Sequence, residues 1–148
     1  AGGTVVEVQE SLAAGRGVGG DSVLDHVFLP HVHPEVATAI GGTRSEAPRD
    51  AVGVIETSTV AAAIRAADAG IKGAEVRLLE IRMADGLGGK GIVLYTGLVS
   101  DVEAAVDIGA GAVRPGLLVR KVVISQLHPD IWENLSAATR FGSRLEGL

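Results

Sequence analysis

Two stretches of this chain carry the same order of elements, and that duplication restricts the folds open to it. Residues 23–40, VLDHVFLPHVHPEVATAI, lie over residues 118–135, LVRKVVISQLHPDIWENL, at an offset of 95 that aligns Val27 with Val122, His33 with His128 and Pro34 with Pro129. Upstream, GTVVEVQESLAAG at 3–15 lies over GLVSDVEAAVDIG at 97–109 at an offset of 94. A helix, a strand and a His-Pro helix therefore occur twice. The elements at 51–96 have no counterpart before residue 1, so the chain reads as the second half of one repeat followed by a whole one. The expected division is a half repeat at 1–42, a Gly, Pro and charge-rich linker at 43–50, and a complete repeat with a C-terminal tail at 51–148. Ala51 to Gly97 spans 46 residues, and a complete first repeat calls for as many more upstream.

The periodicities fill in this frame. Val5, Val8 and Leu12 recur at helical spacing until the glycines at 15–20, and Ser22–Leu29 is β-branched and apolar enough for a strand. Pro34 suits the first turn of a short helix running to Ile40. AVGVIET from Ala51 reads as a buried strand, and Thr57 or Ser58 can cap the next helix, where Val60, Ile64, Ala67 and Ile71 form one stripe. Two strands then flank a glycine-rich loop in VRLLEIRMADGLGGKGIVLYTG at 76–97. Ser100-Asp101 starts another helix, Leu117–Ile124 reads as a fourth strand, and His128-Pro129-Asp130 opens a short helix containing Trp132. A helix and a single strand cannot cover each other's apolar faces. Residues 1–42 are therefore expected to dock on the second repeat, on another protomer or on a further segment, an N-terminally truncated chain being the favoured reading.

Hydrophobic residues make up 47% of the chain but aromatics only 3%, so the core is built from Ala, Val, Ile and Leu, which suits close α/β layers. A net charge of −5 argues against a nucleic-acid partner, which needs a basic footprint. The absence of cysteine removes disulfides, thiolate metal sites and cysteine nucleophiles. No stretch approaches the roughly 18 apolar residues of a membrane span, and the N-terminus lacks the order of a signal peptide. The expectation is a soluble, cytoplasmic protein with no membrane partner.

Gly86-Leu87-Gly88-Gly89-Lys90-Gly91 satisfies the dinucleotide-binding expression, but a strand follows it where that motif needs a helix N-terminus to meet the pyrophosphate. The P-loop pattern fails as well, because Ala84 replaces its first glycine and Gly91 its hydroxyl residue. His26, His31 and His33 cluster, yet His33 recurs as His128 before a proline, which favours a helix-entry role over zinc. Glu56, Asp68 and Glu75 read as solvated or capping carboxylates, and no triad or acid–base pair stands out. Lys72 suits the C-terminal dipole of its helix.

The string AVGVIETSTVAAAIRAADAGIKGAEVRLLEI, then a glycine loop, then GIVLYTGLVSDVEAAVDIGA closely resembles the bacterial microcompartment shell domain. The shared signature is an I-E-T strand, an A-A-D-A-x-x-K-x-A helix, the glycine loop and a G-x-V-x-x-V-x-x-A-x-x-x-G helix, and the match covers 51–135. With its half repeat, the chain is similar to the tandem-domain trimeric class, including the T-type proteins of propanediol-utilising compartments. The resemblance implies an α/β (α+β, ferredoxin-like) fold, with a four-stranded, mainly antiparallel sheet and helices on one face. It implies a non-enzymatic homotrimer, a pseudo-hexamer that tiles with other shell proteins around enzymes. Asp85, Gly86, Leu87, Gly88, Gly89, Lys90 and Gly91 would then be the pore loop, and small polar metabolites the solutes in transit, Lys90 favouring anionic ones. Lys72 would be the tile-edge lysine, and His31 and Gln126 stand where the family commonly has an edge arginine. No cofactor is evident; an iron–sulfur cluster, held by a pore-loop cysteine in some T-type relatives, would need such a cysteine in a first-repeat loop. The rival reading is a small-molecule-sensing domain of ferredoxin-like build. An RNA-binding domain is disfavoured because Tyr95 is the only aromatic in the strands of the complete repeat.

Overall fold

A computed structural model describes residues 3–42, 50–84 and 86–131. Within these residues the elements run in the order α1 (Val5–Gly19), α2 (Pro34–Ile40), β1 (Ala51–Thr57), α3 (Val60–Gly73), β2 (Arg77–Met83), β3 (Gly91–Gly97), α4 (Val99–Gly111) and β4 (Leu118–Ser125). A 3-10 turn, Gly20–Ser22, follows α1.

The four strands form one sheet in the order β2-β3-β1-β4, with every neighbouring pair antiparallel. α3 lies over β2 and β3, and α4 over β1 and β4, so both helices cover one face. Between helices and sheet sits the main core, in which Ala62, Ala63, Ala66 and Ala67 of α3 and Val102, Ala105 and Val106 of α4 meet Ile55, Ile81, Val93 and Tyr95. Small side chains allow this close approach. At Gly53 an added Cβ would lie 2.5 Å from a methyl of Val106, so the strand needs glycine there to let α4 settle.

The expected α+β sheet with helices on one face is thus the observed fold, while several boundaries move. The cap of α3 is Thr59, whose hydroxyl accepts from the Ala62 N–H, rather than Thr57 or Ser58. Thr57 is buried and turns its hydroxyl to the Thr59 carbonyl. α4 starts at Val99 after Leu98, with no side-chain cap. β4 begins at Leu118, because the Leu117 N–H bonds Arg114 and its carbonyl receives the Ser58 N–H. α1 runs through Gly15 and Gly17 to Gly19, its start fixed by a capping box of Thr4 and Glu7.

The expected strand at Ser22–Leu29 is absent: residues 23–29 lack ladder hydrogen bonds. β propensity cannot make a strand without a neighbouring edge to pair with. The segment is held by side chains instead. Asp25, nearly fully buried, accepts from the Thr59 hydroxyl and forms an ion pair with Arg114. α2 then docks beside β2 and α3, placing Val36 and Ala39 in the core. Burying Val36 completely contributes about 1.5–2 kcal/mol. α1, by contrast, buries none of its residues.

The two His-Pro turns share their backbone geometry. His31 and Gln126 both take φ 55°. Two residues on, the His33 Nδ1 accepts from the Glu35 N–H and the His128 Nδ1 from the Asp130 N–H, each at 3.3 Å. The helix-entry role expected of His33 is therefore present, and its ring nitrogen is engaged in it. Among the described residues, no group of three potential ligands comes together around a metal. Trp132 and linker residues 43–49 lie outside the described residues.

Candidate functional site

The loop joining β2 to β3 is closed at its root and open at its tip. At the root, the Ala84 N–H bonds the Lys90 carbonyl at 3.0 Å. Two turns follow, Leu87 N–H to the Ala84 carbonyl and Lys90 N–H to the Leu87 carbonyl. Gly86, Gly88 and Gly89 have φ of 67°, 63° and 88°, a region that L side chains enter only with strain, and a Cβ added at any of them would meet no described residue beyond its chain neighbours within 4 Å. Leu87 is half-buried and Lys90 exposed. Asp85 lies outside the described residues.

Gly91 differs from the other glycines. It is the first residue of β3 and buried, and a Cβ there would sit 2.5 Å from that of Ala63 on α3. Grouping it with the loop overlooked this packing role. The strand after the loop excludes the dinucleotide-binding geometry, as its sequence context indicates.

Lys90 does not stand alone. Its Nζ lies 3.0 Å from the Glu56 Oε1 on β1, in a pair whose side chains are 47% and 29% exposed. Sequence reading missed Glu56, which lies 34 residues away and looks like a solvated carboxylate. Its signal was weak: Val52, Val54 and Glu56 alternate onto one face of β1, and only the register brings that face to Lys90.

The second group of candidates centres on Asp68, which is buried rather than solvated. Its Oδ1 accepts the His33 N–H at 2.8 Å and its Oδ2 meets the Lys72 Nζ at 2.6 Å. Lys72 is thus tied one turn back along α3 and, through Asp68, to the His-Pro turn that carries His31. Glu35 completes the dock: Oε2 accepts from the Leu78 N–H at 2.9 Å and Oε1 meets the Arg77 Nε at 2.8 Å. Gln126 is elsewhere. It follows β4, on the α4 side of the sheet, and donates its N–H to the Asp50 carbonyl. One chain therefore joins Lys72 to the turn of His31 and leaves Gln126 apart.

Tyr95 is buried, with its hydroxyl donated to the Ala66 carbonyl at 2.6 Å, so it offers no stacking surface to a base. An iron–sulfur cluster needs thiolate ligands, and these 148 residues supply none. Among the described residues no helix is long and apolar enough to cross a membrane.

Comparison with known proteins agrees with this architecture. The BMC domain family matches residues 51–127. The microcompartment shell protein PduT of Citrobacter freundii is 42% identical over 135 residues, covering 90% of this chain and 73% of that protein. The shell protein EutM of Salmonella typhimurium is 39% identical over 85 residues, 57% of this chain and 86% of its own. Among solved structures, a microcompartment protein of Desulfitobacterium hafniense DCB superposes with a TM-score of 0.77 at 44% identity, over 87% of this chain and 72% of that one. The chain belongs to the BMC-domain family of bacterial microcompartment shell proteins.

Proposed function

We propose that three copies of this chain close into a flat pseudo-hexameric tile, that loop 84–91 lines its central opening, and that small polar metabolites cross there. The observation that carries this reading is the loop itself. Three glycines in a conformation suited to them, with open space where a Cβ would stand, leave backbone N–H groups and room for copies to converge. The charge at its root is an ion pair, Lys90 with Glu56, so the rim is more nearly neutral than Lys90 alone would make it.

In this reading residues 1–42 are the second half of a first repeat and 51–148 a complete second one. The matched φ values at His31 and Gln126, and the matched caps at His33 and His128, support that division. Lys72 and the turn of His31 would meet neighbouring tiles at one edge and Gln126 at another. The chain would act as a wall and a passage rather than as a catalyst.

Electron microscopy of the purified chain tests the proposal. Discs of hexagonal outline with a central opening are expected. A population of monomers that never forms discs at any concentration would overturn it, and a gain in thermal stability with a metabolite but no discs would favour a sensing domain.

A further inference from the structure

Glu56 occupies a particular place on the sheet. Arg82 pairs in register with Ile92, Ile92 with Glu56, and Glu56 with Arg120, so these four lie side by side across all four strands. Register partners share a face and sit about 4.5–5.5 Å apart at their Cβ atoms. Glu56 therefore has Lys90 on its carboxylate at 3.0 Å and Arg120 as its strand neighbour. Arg120 is exposed and forms no ion pair among the described residues. Arg82, half-buried, faces Glu80 at 3.5 Å.

We propose that Glu56 is the specificity-determining residue of the loop, because it holds Lys90 at the loop's root and cancels its charge, with Arg120 as its alternative partner. An oxyanion arriving at the loop competes with Glu56 for Lys90. A rotamer change then carries the Glu56 carboxylate to Arg120, and Lys90 is released without leaving a carboxylate unpaired. The loop thus discriminates by how well a solute's acidic oxygens replace those of Glu56: a phosphate or carboxylate recruits Lys90, while a neutral polar solute meets a closed pair. This inference rests on the loop being the lining of the opening, and it adds the residue that sets the charge there.

The test uses the full chain with inorganic phosphate as the probe, following the amide resonances of Gly86, Gly88, Gly89 and Lys90. Glu56→Gln should bind phosphate roughly threefold more tightly than the parent, the scale expected from removing one exposed competitor. Amide exchange at Ala84 should quicken in the same variant, since the root bond to Lys90 loses its anchor. Lys90→Met should abolish the phosphate response. Glu56→Asp, whose carboxylate is one methylene short, provides a second variant with the same expected direction. If Glu56→Gln and Glu56→Asp bind as the parent does while Lys90→Met still abolishes binding, the role of Glu56 is overturned. If phosphate moves no loop resonance in any form, the competition is overturned too. Neither result touches the proposed opening, which stands or falls on the discs seen by electron microscopy.

Discussion

Tyr95 sits where sheet and both helices meet, and its surroundings explain two glycines that helix propensity would count against. A Cβ at Gly70 would lie 2.4 Å from the Tyr95 hydroxyl oxygen and 2.8 Å from the Ala105 carbonyl, and one at Gly109 2.9 Å from the Ala66 carbonyl. Gly70→Ala should therefore cost about 1–3 kcal/mol by overpacking, despite its better helix propensity. Tyr95→Phe should cost about 1 kcal/mol for the lost hydrogen bond to Ala66. Burial pushes the Tyr95 phenol far above the ordinary tyrosine range, and the Asp68 carboxylate adds to the shift. Since the folded chain holds this proton more tightly, the linked stability is complete below the unfolded value of about 10 and drains away as pH rises above it. Thermal denaturation at about pH 9 and about pH 11 should show a larger drop in the parent than in Tyr95→Phe. Equal drops would mean that the phenol is not the group responsible. None of this was visible from spacing: Tyr95 lies 29 residues from Ala66, and only the packing of α3 on β3 joins them.

At the scale of elements, the docking of α2 shows what periodicity can and cannot tell. The stripe Val60, Ile64, Ala67 and Ile71 specifies α3, and the His-Pro order specifies α2, because each signal is local. Ser22–Leu29 carried an equally local strand signal and failed, since a strand needs an edge that no local pattern supplies. The same limit hid Glu35. Its carboxylate satisfies the Leu78 N–H of edge strand β2 and meets Arg77, a contact across 43 residues. Glu35→Ala should cost about 1–2 kcal/mol, because the edge amide loses a charged acceptor. Hydrogen exchange should locate the loss at Leu78, while amides of β1 and β3, shielded on both sides, keep their protection. Uniform acceleration across the sheet would instead mean that α2 is needed for the fold as a whole.

For the whole molecule, the question is whether the contacts at Lys72 serve the chain or the tile. Within the chain, Lys72 is 38% exposed and pairs with Asp68 four residues earlier, an arrangement worth about 0.3–0.5 kcal/mol on a helix. That is too little to unfold a domain whose core spans α2, α3, α4 and the sheet. Asp68 would keep one partner without it, the His33 N–H. Lys72→Ala should consequently melt within about 1 °C to 4 °C of the parent and form the same discs in solution. If Lys72 is an edge residue, the discs should fail to pack into sheets, because the lost contact recurs at every tile and small deficits multiply across a lattice. Asp68→Asn separates the two roles. It weakens the hold on the His33 turn but leaves Lys72 charged and free to reach outward, so sheets should persist while exchange at His33 quickens. Sheets from Lys72→Ala as extensive as those of the parent, scored by electron microscopy at matched protein concentration, would confine Lys72 to its pairing with Asp68 and remove it from the edge.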